Sequence, residues 1–92
     1  MHSHLAKMLG QYILDERNRQ DILQRELAED LNMSAQFLGR IEKGEVMIPD
    51  PSLRKVIRVL DLHSQKLTKI YRCAADLEVE SLFKSNKKRK RA

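Results

Sequence analysis

Three polar side chains between residues 36 and 43 have the chemistry and spacing to contact nucleic-acid bases. Gln36, Arg40 and Lys43 recur at i, i+4 and i+7, so on an α-helix they lie along one face. Glutamine can pair through two hydrogen bonds with adenine, arginine with O6 and N7 of guanine, and lysine can neutralise a phosphate. An ordinary solvated helix face would look the same, so the interpretation depends on the surrounding elements.

The residues around this face predict how it is held. Leu38 and Ile41 fall on the inward side of the same helix, Ser34 is a natural N-cap, and Gly44 suits the C′ position that ends a helix. The pattern therefore predicts a short helix from Ser34 to Gly44 with one apolar and one polar side.

This is the third helix of the chain, and helix two, also short, ends only three to four residues before it. The apolar face of helix two consists of Leu27, Ala28 and Leu31, and the run Asn32-Met33-Ser34 interrupts it. Two helices joined so tightly cannot lie antiparallel and must cross steeply, which is the geometry of a helix-turn-helix.

Three further helices are predicted at about residues 4–20, 50–63 and 64–83. Asp50-Pro51 fits an N-cap followed by a proline at the first helical position, and Ser64 can cap the last helix. Each helix carries an apolar stripe, which in the last one comprises Leu67, Ile70, Tyr71, Ala74, Leu77 and, less regularly, Leu82. We expect an all-α fold of five helices with its core in residues 5–62 and an extended C-terminal helix.

The basic excess of the chain lies at its end. Of 18 Lys and Arg residues among 92, six fall in the last nine positions, which leaves 12 basic against 13 acidic residues before them. The net charge therefore gives no argument that the folded part binds nucleic acid. A like-charge run cannot bury itself, so we expect one domain at residues 1–83 and a disordered basic tail at 84–92.

The tail allows three interpretations. Non-specific attraction to phosphates, with a strong salt dependence, is one; a nuclear-import signal in a eukaryotic setting and a solubilising tail are the others. The residues that would contact nucleic acid are Lys87, Lys88, Arg89, Lys90 and Arg91.

The segment QRELAEDLNMSAQFLGRIEKGE, residues 24–45, resembles the Cro and lambda-repressor type of helix-turn-helix, often called the Xre family. The resemblance extends over roughly residues 9–62. It depends on an ordered set of positions, namely Gln24, Leu27-Ala28, Ser34, Leu38, Ile41, Glu42, Gly44 and Pro51-Ser52-Leu53. It implies a lambda-repressor-like domain that binds double-stranded DNA as a transcriptional regulator, a repressor in the simplest case, without a cofactor.

The resemblance and the helix geometry together assign roles to individual residues. The predicted base contacts are Ala35, Gln36, Gly39 and Arg40, and the predicted phosphate contacts are Gln24, Ser34, Lys43, Arg54 and Lys55. Gly39 would let the backbone approach the groove or, alternatively, allow tight contact with helix two. The resemblance also implies a buried structural ion pair between Arg17 and Glu42, with Arg19 as the competing partner.

One position departs from the family pattern. Leu23 stands before Gln24, where the family usually has a Ser or Thr cap, so helix two is capped by Asp21 or by no side chain. Glu45, just after the recognition helix, would repel phosphate unless it points away.

The family's DNA-reading mode implies a two-fold dimer, because one short helix reads only about four base pairs. The dimerisation candidates are Leu77, Leu82 and Phe83. Packing of the last helix on helix one is the alternative interpretation of its stripe.

Other classes of function find little support. The three His residues and the lone Cys73 lack metal-ligand spacing, and no nucleophile motif or phosphate-binding glycine loop occurs, so we expect neither an enzyme nor a metal site. The polar start and the lack of a long apolar run predict a cytoplasmic protein, and the resemblance implies a bacterial or phage, nucleoid-associated setting. The competing hypothesis is a protein-interaction module, such as an antitoxin-like or adaptor protein, which would show apolar anchors on helix three; Phe37 is the one candidate.

Overall fold

A computed structural model of the protein describes the backbone of residues 3–90 and the side-chain surroundings of residues 3–84. Five helices occur there, and no strand is found within these residues. The helices are α1 His4–Arg19, α2 Gln24–Asp30, α3 Ala35–Glu42, α4 Asp50–Val59 and α5 Ser64–Lys90. The predicted all-α fold of five helices is confirmed.

The first four helices end in the same way, with a residue in the left-handed region just beyond the last turn. Asp21, Asn32, Gly44 and Asp61 have φ of 58°, 58°, 78° and 54°. After α3, the backbone N–H of Gly44 donates to Ile41 at 3.0 Å and that of Glu45 to Arg40 at 2.9 Å, which is the Schellman pattern. The chain therefore turns sharply after each helix through local hydrogen bonds.

Of the two alternatives for the start of α2, a cap from Asp21 or no side-chain cap, the structure has the second. Asp21 does not cap α2 but ends α1, since its N–H donates to Asn18 at 3.1 Å and its backbone is left-handed. Asp and Asn adopt this conformation more easily than most residues with a side chain. Leu23 is the N-cap of α2 and has no polar side chain; instead the Glu26 carboxylate accepts from the Leu23 N–H at 2.9 Å.

One of the three predicted caps of the later helices is found. The Ser34 hydroxyl accepts from the Phe37 N–H at 3.0 Å, as its type suggests. Helix α4, however, begins one residue early, with Pro49 as the N-cap and Pro51 in its first turn. Ser64 is already helical, because the Leu67 N–H bonds to the carbonyl of His63.

Every helix contributes to one hydrophobic core. The side chains that are almost completely buried are Leu9, Ile13, Leu27, Leu38, Ile41, Val56 and Leu60. Helix α1 crosses the interior and packs against both α3 and α5. Since α3 buries Leu38 and Ile41 here, its opposite side must face solvent.

Helix α5 contacts the rest of the domain through side chains that lie between Leu67 and Glu78. Ile70 and Ala74 are buried, and the first N–H of α1, from His4, donates to the Glu78 carboxylate at 3.1 Å. Three members of the predicted stripe are exposed, namely Tyr71 at 41%, Leu77 at 36% and Leu82 at 66%. The buried face of α5 runs through Ile70 and Ala74, and Tyr71 lies beside it.

The end of α5 lies further along the chain than expected. The helix continues through Lys90 instead of ending near residue 83, so the predicted change to a disordered tail after residue 83 is not seen. Lys and Arg are good helix formers, and neither Gly nor Pro interrupts the segment. Residues 91–92, and with them the predicted contact of Arg91, lie outside the described residues; the side chains of Lys87, Lys88, Arg89 and Lys90 do as well.

Candidate nucleic-acid interface

The outer face of α3 presents the polar side chains that the sequence places there. Gln36, Arg40 and Lys43 are exposed, whereas Leu38 and Ile41 on the opposite side are 0% and 1% exposed. Ser34, Gln36, Phe37 and Arg40 line a shallow depression of about 230 Å³. The helix therefore brings Gln36 and Arg40 together on one accessible, polar surface.

The remaining predicted contacts of α3 are less accessible. Ala35 and Gly39 are half-buried, and Ala35 packs against the core. A Cβ atom added to Gly39 would lie 3.4 Å from Nε2 of Gln24, so this glycine faces helix two. Of the two interpretations of Gly39, the geometry favours close contact with α2.

Gln24 is half-buried and turned toward the interior of the domain. Its Nε2 donates to Oε1 of Glu42 at 2.9 Å. An amide nitrogen carries two N–H donors, so one donor is engaged and the other is available for the predicted phosphate. The inward bond attaches the start of α2 to the end of α3.

Glu42 is also the partner of Arg17, and the pair is buried. Nε of Arg17 donates to Oε2 of Glu42 at 2.7 Å, and Nη2 donates to Oε1 at 3.2 Å. Nη1 of Arg17 donates in addition to the carbonyl of Ile22 at 2.9 Å. Because the two residues are only 9% and 5% exposed, these bonds fix α1, α2 and α3 relative to one another.

Arg19, the competing partner, lies elsewhere. Its Nη2 lies 2.6 Å from Oε1 of Glu16, one turn back on the surface of α1. Hydrogen bonding to Arg19 lowers the pKa of Glu16, and the same bond raises the pKa of Arg19. Arg19 therefore belongs to a local surface pair.

A glycine that the sequence reasoning missed sets the approach of α1 to α3. A Cβ atom on Gly10 would lie 2.1 Å from the carbonyl oxygen of Ile41 and 3.1 Å from that of Glu42. The two helix backbones are in direct contact at this point. A glycine inside an otherwise regular apolar stripe was the available signal, since glycine weakens a helix unless space is limiting.

Arg40 has a partner just beyond the recognition helix. Its Nε lies 3.4 Å from Oε1 of Glu45, and the two side chains are 53% and 44% exposed. The contact is longer than a typical N–H···O hydrogen bond, so it is an ion pair held in water. Sequence reasoning treated Glu45 only as a source of repulsion.

The basic residues of α4 and the apolar residues of α5 differ in how far they are exposed. Arg54 is exposed and Lys55 half-buried at the start of α4, and Arg58 is exposed one turn later. On α5, Leu77, Leu82 and Phe83 are 36%, 66% and 63% exposed. The dimerisation candidates are therefore accessible side chains within residues 3–84.

Two negative findings apply to the described residues alone. No group of three or more His, Cys, Asp or Glu side chains there is arranged to hold a metal ion. None of the described helices is both long and apolar enough to cross a membrane.

Comparison with known proteins gives a family match and similar solved structures. The helix-turn-helix family matches residues 13–67, more than half of the chain. No curated protein matches the sequence. The crystal structure of the clp gene regulator ClgR from Corynebacterium glutamicum is similar with a TM-score of 0.64 and 22% identity, over 92% of this chain and 87% of that one. At this identity the likeness concerns the fold.

Proposed function

The chain belongs to the helix-turn-helix family of the Cro/C1 type, and from this we propose that it is a transcriptional regulator that binds specific double-stranded DNA sequences through the major groove. The observation that carries the proposal is the exposed face of α3. Gln36 and Arg40 share an accessible polar surface while the other side of the helix is completely buried. A helix of this width fits the major groove, where these side chains can read base edges.

The contacts divide into base and phosphate groups. Gln36 and Arg40 read bases, the half-buried Ala35 lies beside them, and Gly39 faces α2. The phosphate contacts come from the surrounding positions, namely Gln24, Ser34, Lys43, Arg54 and Lys55. Such contacts fix the orientation of the domain on the duplex but carry no sequence information.

We propose further that the protein acts as a homodimer. A recognition helix of eight residues reads few base pairs, so two copies on half-sites one DNA turn apart supply the specificity. Leu77, Leu82 and Phe83 supply accessible apolar area, and burial against a second α5 would remove that area from water. Repression is the proposed outcome, because it requires only that the bound dimer occupies its site.

The alternative is a module that uses α3 to bind another protein. Such a surface would need apolar anchors, and Phe37, the one candidate, is half-buried against the core. This packing favours the DNA-binding hypothesis.

Binding of fluorescent duplexes tests the proposal. Duplexes that the wild-type protein selects from a randomised pool are compared with scrambled duplexes by fluorescence anisotropy at two salt concentrations. The Gln36→Ala/Arg40→Ala variant should lose the preference for the selected duplex. Gln65→Ala/Arg72→Ala, which removes the same residue types from exposed positions of α5, is the matched control and should keep it.

A shortened chain that ends at Ser85 distinguishes the contribution of the basic tail to DNA binding from that of the domain. It should bind more weakly and with a shallower salt dependence but keep its sequence preference. If all affinity resides in the tail and the α3 variant binds like wild type, α3 serves a protein partner.

Sedimentation equilibrium tests the dimer. Leu82→Glu/Phe83→Glu should shift the protein to the monomer, whereas Lys66→Glu/Lys69→Glu, on another exposed part of α5, should leave the association unchanged. A wild-type protein that is monomeric at all concentrations would contradict this part of the proposal.

A further inference from the structure

Glu45 is tied to Arg40 by both its backbone and its side chain. The Glu45 N–H donates to the Arg40 carbonyl at 2.9 Å as part of the turn that ends α3, and its carboxylate lies 3.4 Å from Nε of Arg40. Gly44, with φ of 78°, directs the chain back to allow both contacts. The position of Glu45 beside Arg40 is therefore set by the helix ending itself.

The carboxylate approaches one particular edge of the guanidinium. Pairing at Nε leaves Nη1 and Nη2, and neither donates to a protein acceptor among the described residues. These two nitrogens form the fork that pairs with O6 and N7 of guanine. Arg17 provides the contrast, because its Nε, Nη1 and Nη2 all donate within the protein.

We propose that Glu45 is a positioning residue that sets the specificity of Arg40 for guanine. The inference depends on the proposed DNA binding by α3. The carboxylate partly neutralises Arg40, so the arginine gains less from any phosphate that it meets. It also holds the guanidinium by Nε, so the free fork can meet a guanine without first losing side-chain freedom.

This role differs from simple repulsion. A carboxylate that only repelled the DNA backbone would weaken the binding of every sequence by the same factor. A carboxylate that positions Arg40 weakens binding to scrambled DNA more than binding to selected DNA. The ratio of the two dissociation constants therefore distinguishes the two roles.

The test compares Glu45→Gln with Glu29→Gln, which removes the same charge from an exposed position in α2 without an ion-pair partner among the described residues. Each full-length protein is titrated against the duplex that wild type selects and against a scrambled duplex of equal length. For Glu45→Gln the ratio of scrambled to selected dissociation constants should fall about two- to five-fold, the range expected for an exposed ion pair. For Glu29→Gln the ratio should not change.

Arg40→Ala provides the second arm. In that background Glu45→Gln should leave the ratio unchanged, because the side chain that it positions is absent. The positioning role is wrong if Glu45→Gln tightens binding to both duplexes equally. It is also wrong if Glu45→Gln lowers the ratio of dissociation constants in the Arg40→Ala background as well. In either case DNA binding by α3 stands. If wild type shows no preference, the proposed function itself fails, and the inference fails with it.

Discussion

Glu42 and Glu45 lie three positions apart at the end of α3, and each is paired with an arginine, yet their surroundings are opposite. Glu42 is 5% exposed and bonded to Arg17 and Gln24, with Nε of Arg17 at 2.7 Å. The Glu45 side chain is 44% exposed and lies 3.4 Å from Arg40. The inner pair, Arg17 with Glu42, joins three helices. The outer pair, Arg40 with Glu45, leaves most of the arginine side chain accessible to a ligand.

If α3 binds DNA as proposed, one short helix separates stability from recognition. A buried charge must be paired and hydrogen-bonded, and Arg17 and Glu42 meet this requirement through each other, Ile22 and Gln24. An exposed pair such as Arg40 and Glu45 contributes little to folding, and it leaves Nη1 and Nη2 of the arginine accessible. The two sides of α3 should therefore respond to substitution in different measurements.

The largest effect is expected at the inner pair. Glu42→Ala leaves the Arg17 charge buried and unpaired, and should lower the free energy of unfolding by roughly 3–5 kcal/mol. Glu45→Ala, the matched control on the outer side, should change it by less than about 1 kcal/mol. Urea denaturation, monitored by circular dichroism, measures both changes in the free energy of unfolding. Equal changes would contradict the proposed difference between the two sides of α3.

The next effect concerns the contact of α1 with α3. Gly10→Ala places a Cβ atom 2.1 Å from the Ile41 carbonyl oxygen, which is backbone and cannot rotate away. The helices must separate, and the free energy of unfolding should fall by about 1–3 kcal/mol. Thermal denaturation compares this variant with wild type; an unchanged midpoint would show that the junction is more adaptable than the geometry indicates.

A smaller effect of opposite sign is expected at Gly39. Its added Cβ atom would lie 3.4 Å from Nε2 of Gln24, which is van der Waals contact, so Gly39→Ala fits and should stabilise the domain by up to about 1 kcal/mol through helix propensity. Binding of the selected duplex should be retained if Gly39 serves only the contact with α2. Loss of binding in a stabilised protein would instead show that the DNA backbone approaches this glycine.

The smallest expected effect is on the pH dependence of stability. It comes from a third ion pair, Glu16 with Arg19 on the surface of α1. Bonding to Arg19 lowers the pKa of Glu16 from its usual value of 4.5, so the pair stabilises the folded state above that pH. The contribution is lost as the pH falls through the lowered pKa. Arg19→Ala should therefore melt slightly below wild type at neutral pH, and the two melting curves should converge in acid; a constant difference would contradict this linkage.

Much of the fold and the polar face of α3 could be predicted because their signals are local or periodic. The apolar stripe through Leu38 and Ile41 fixes which side of α3 is outward, and Gln36 and Arg40 follow by helix geometry alone. Ser34 and Gly44 mark the two ends through caps that involve only neighbouring residues.

Other features depend on distances between helices, which no local pattern contains. Arg17 and Arg19 are equivalent candidates in the sequence, and only the packing of α1 on α3 directs Arg17 to a carboxylate 25 positions away. The inward turn of Gln24 and the close approach at Gly10 likewise require a neighbour from another helix. The exposure of Tyr71 also depends on where α5 docks.

The sequence by itself thus determined that five helices form and which side of α3 carries the polar residues, because helix propensity, capping and hydrophobic period act over a few neighbouring positions. Only the tertiary structure decided which charged groups are buried together and which are left available. A side chain is desolvated, and acquires a distant partner, only when the whole set of helices has packed.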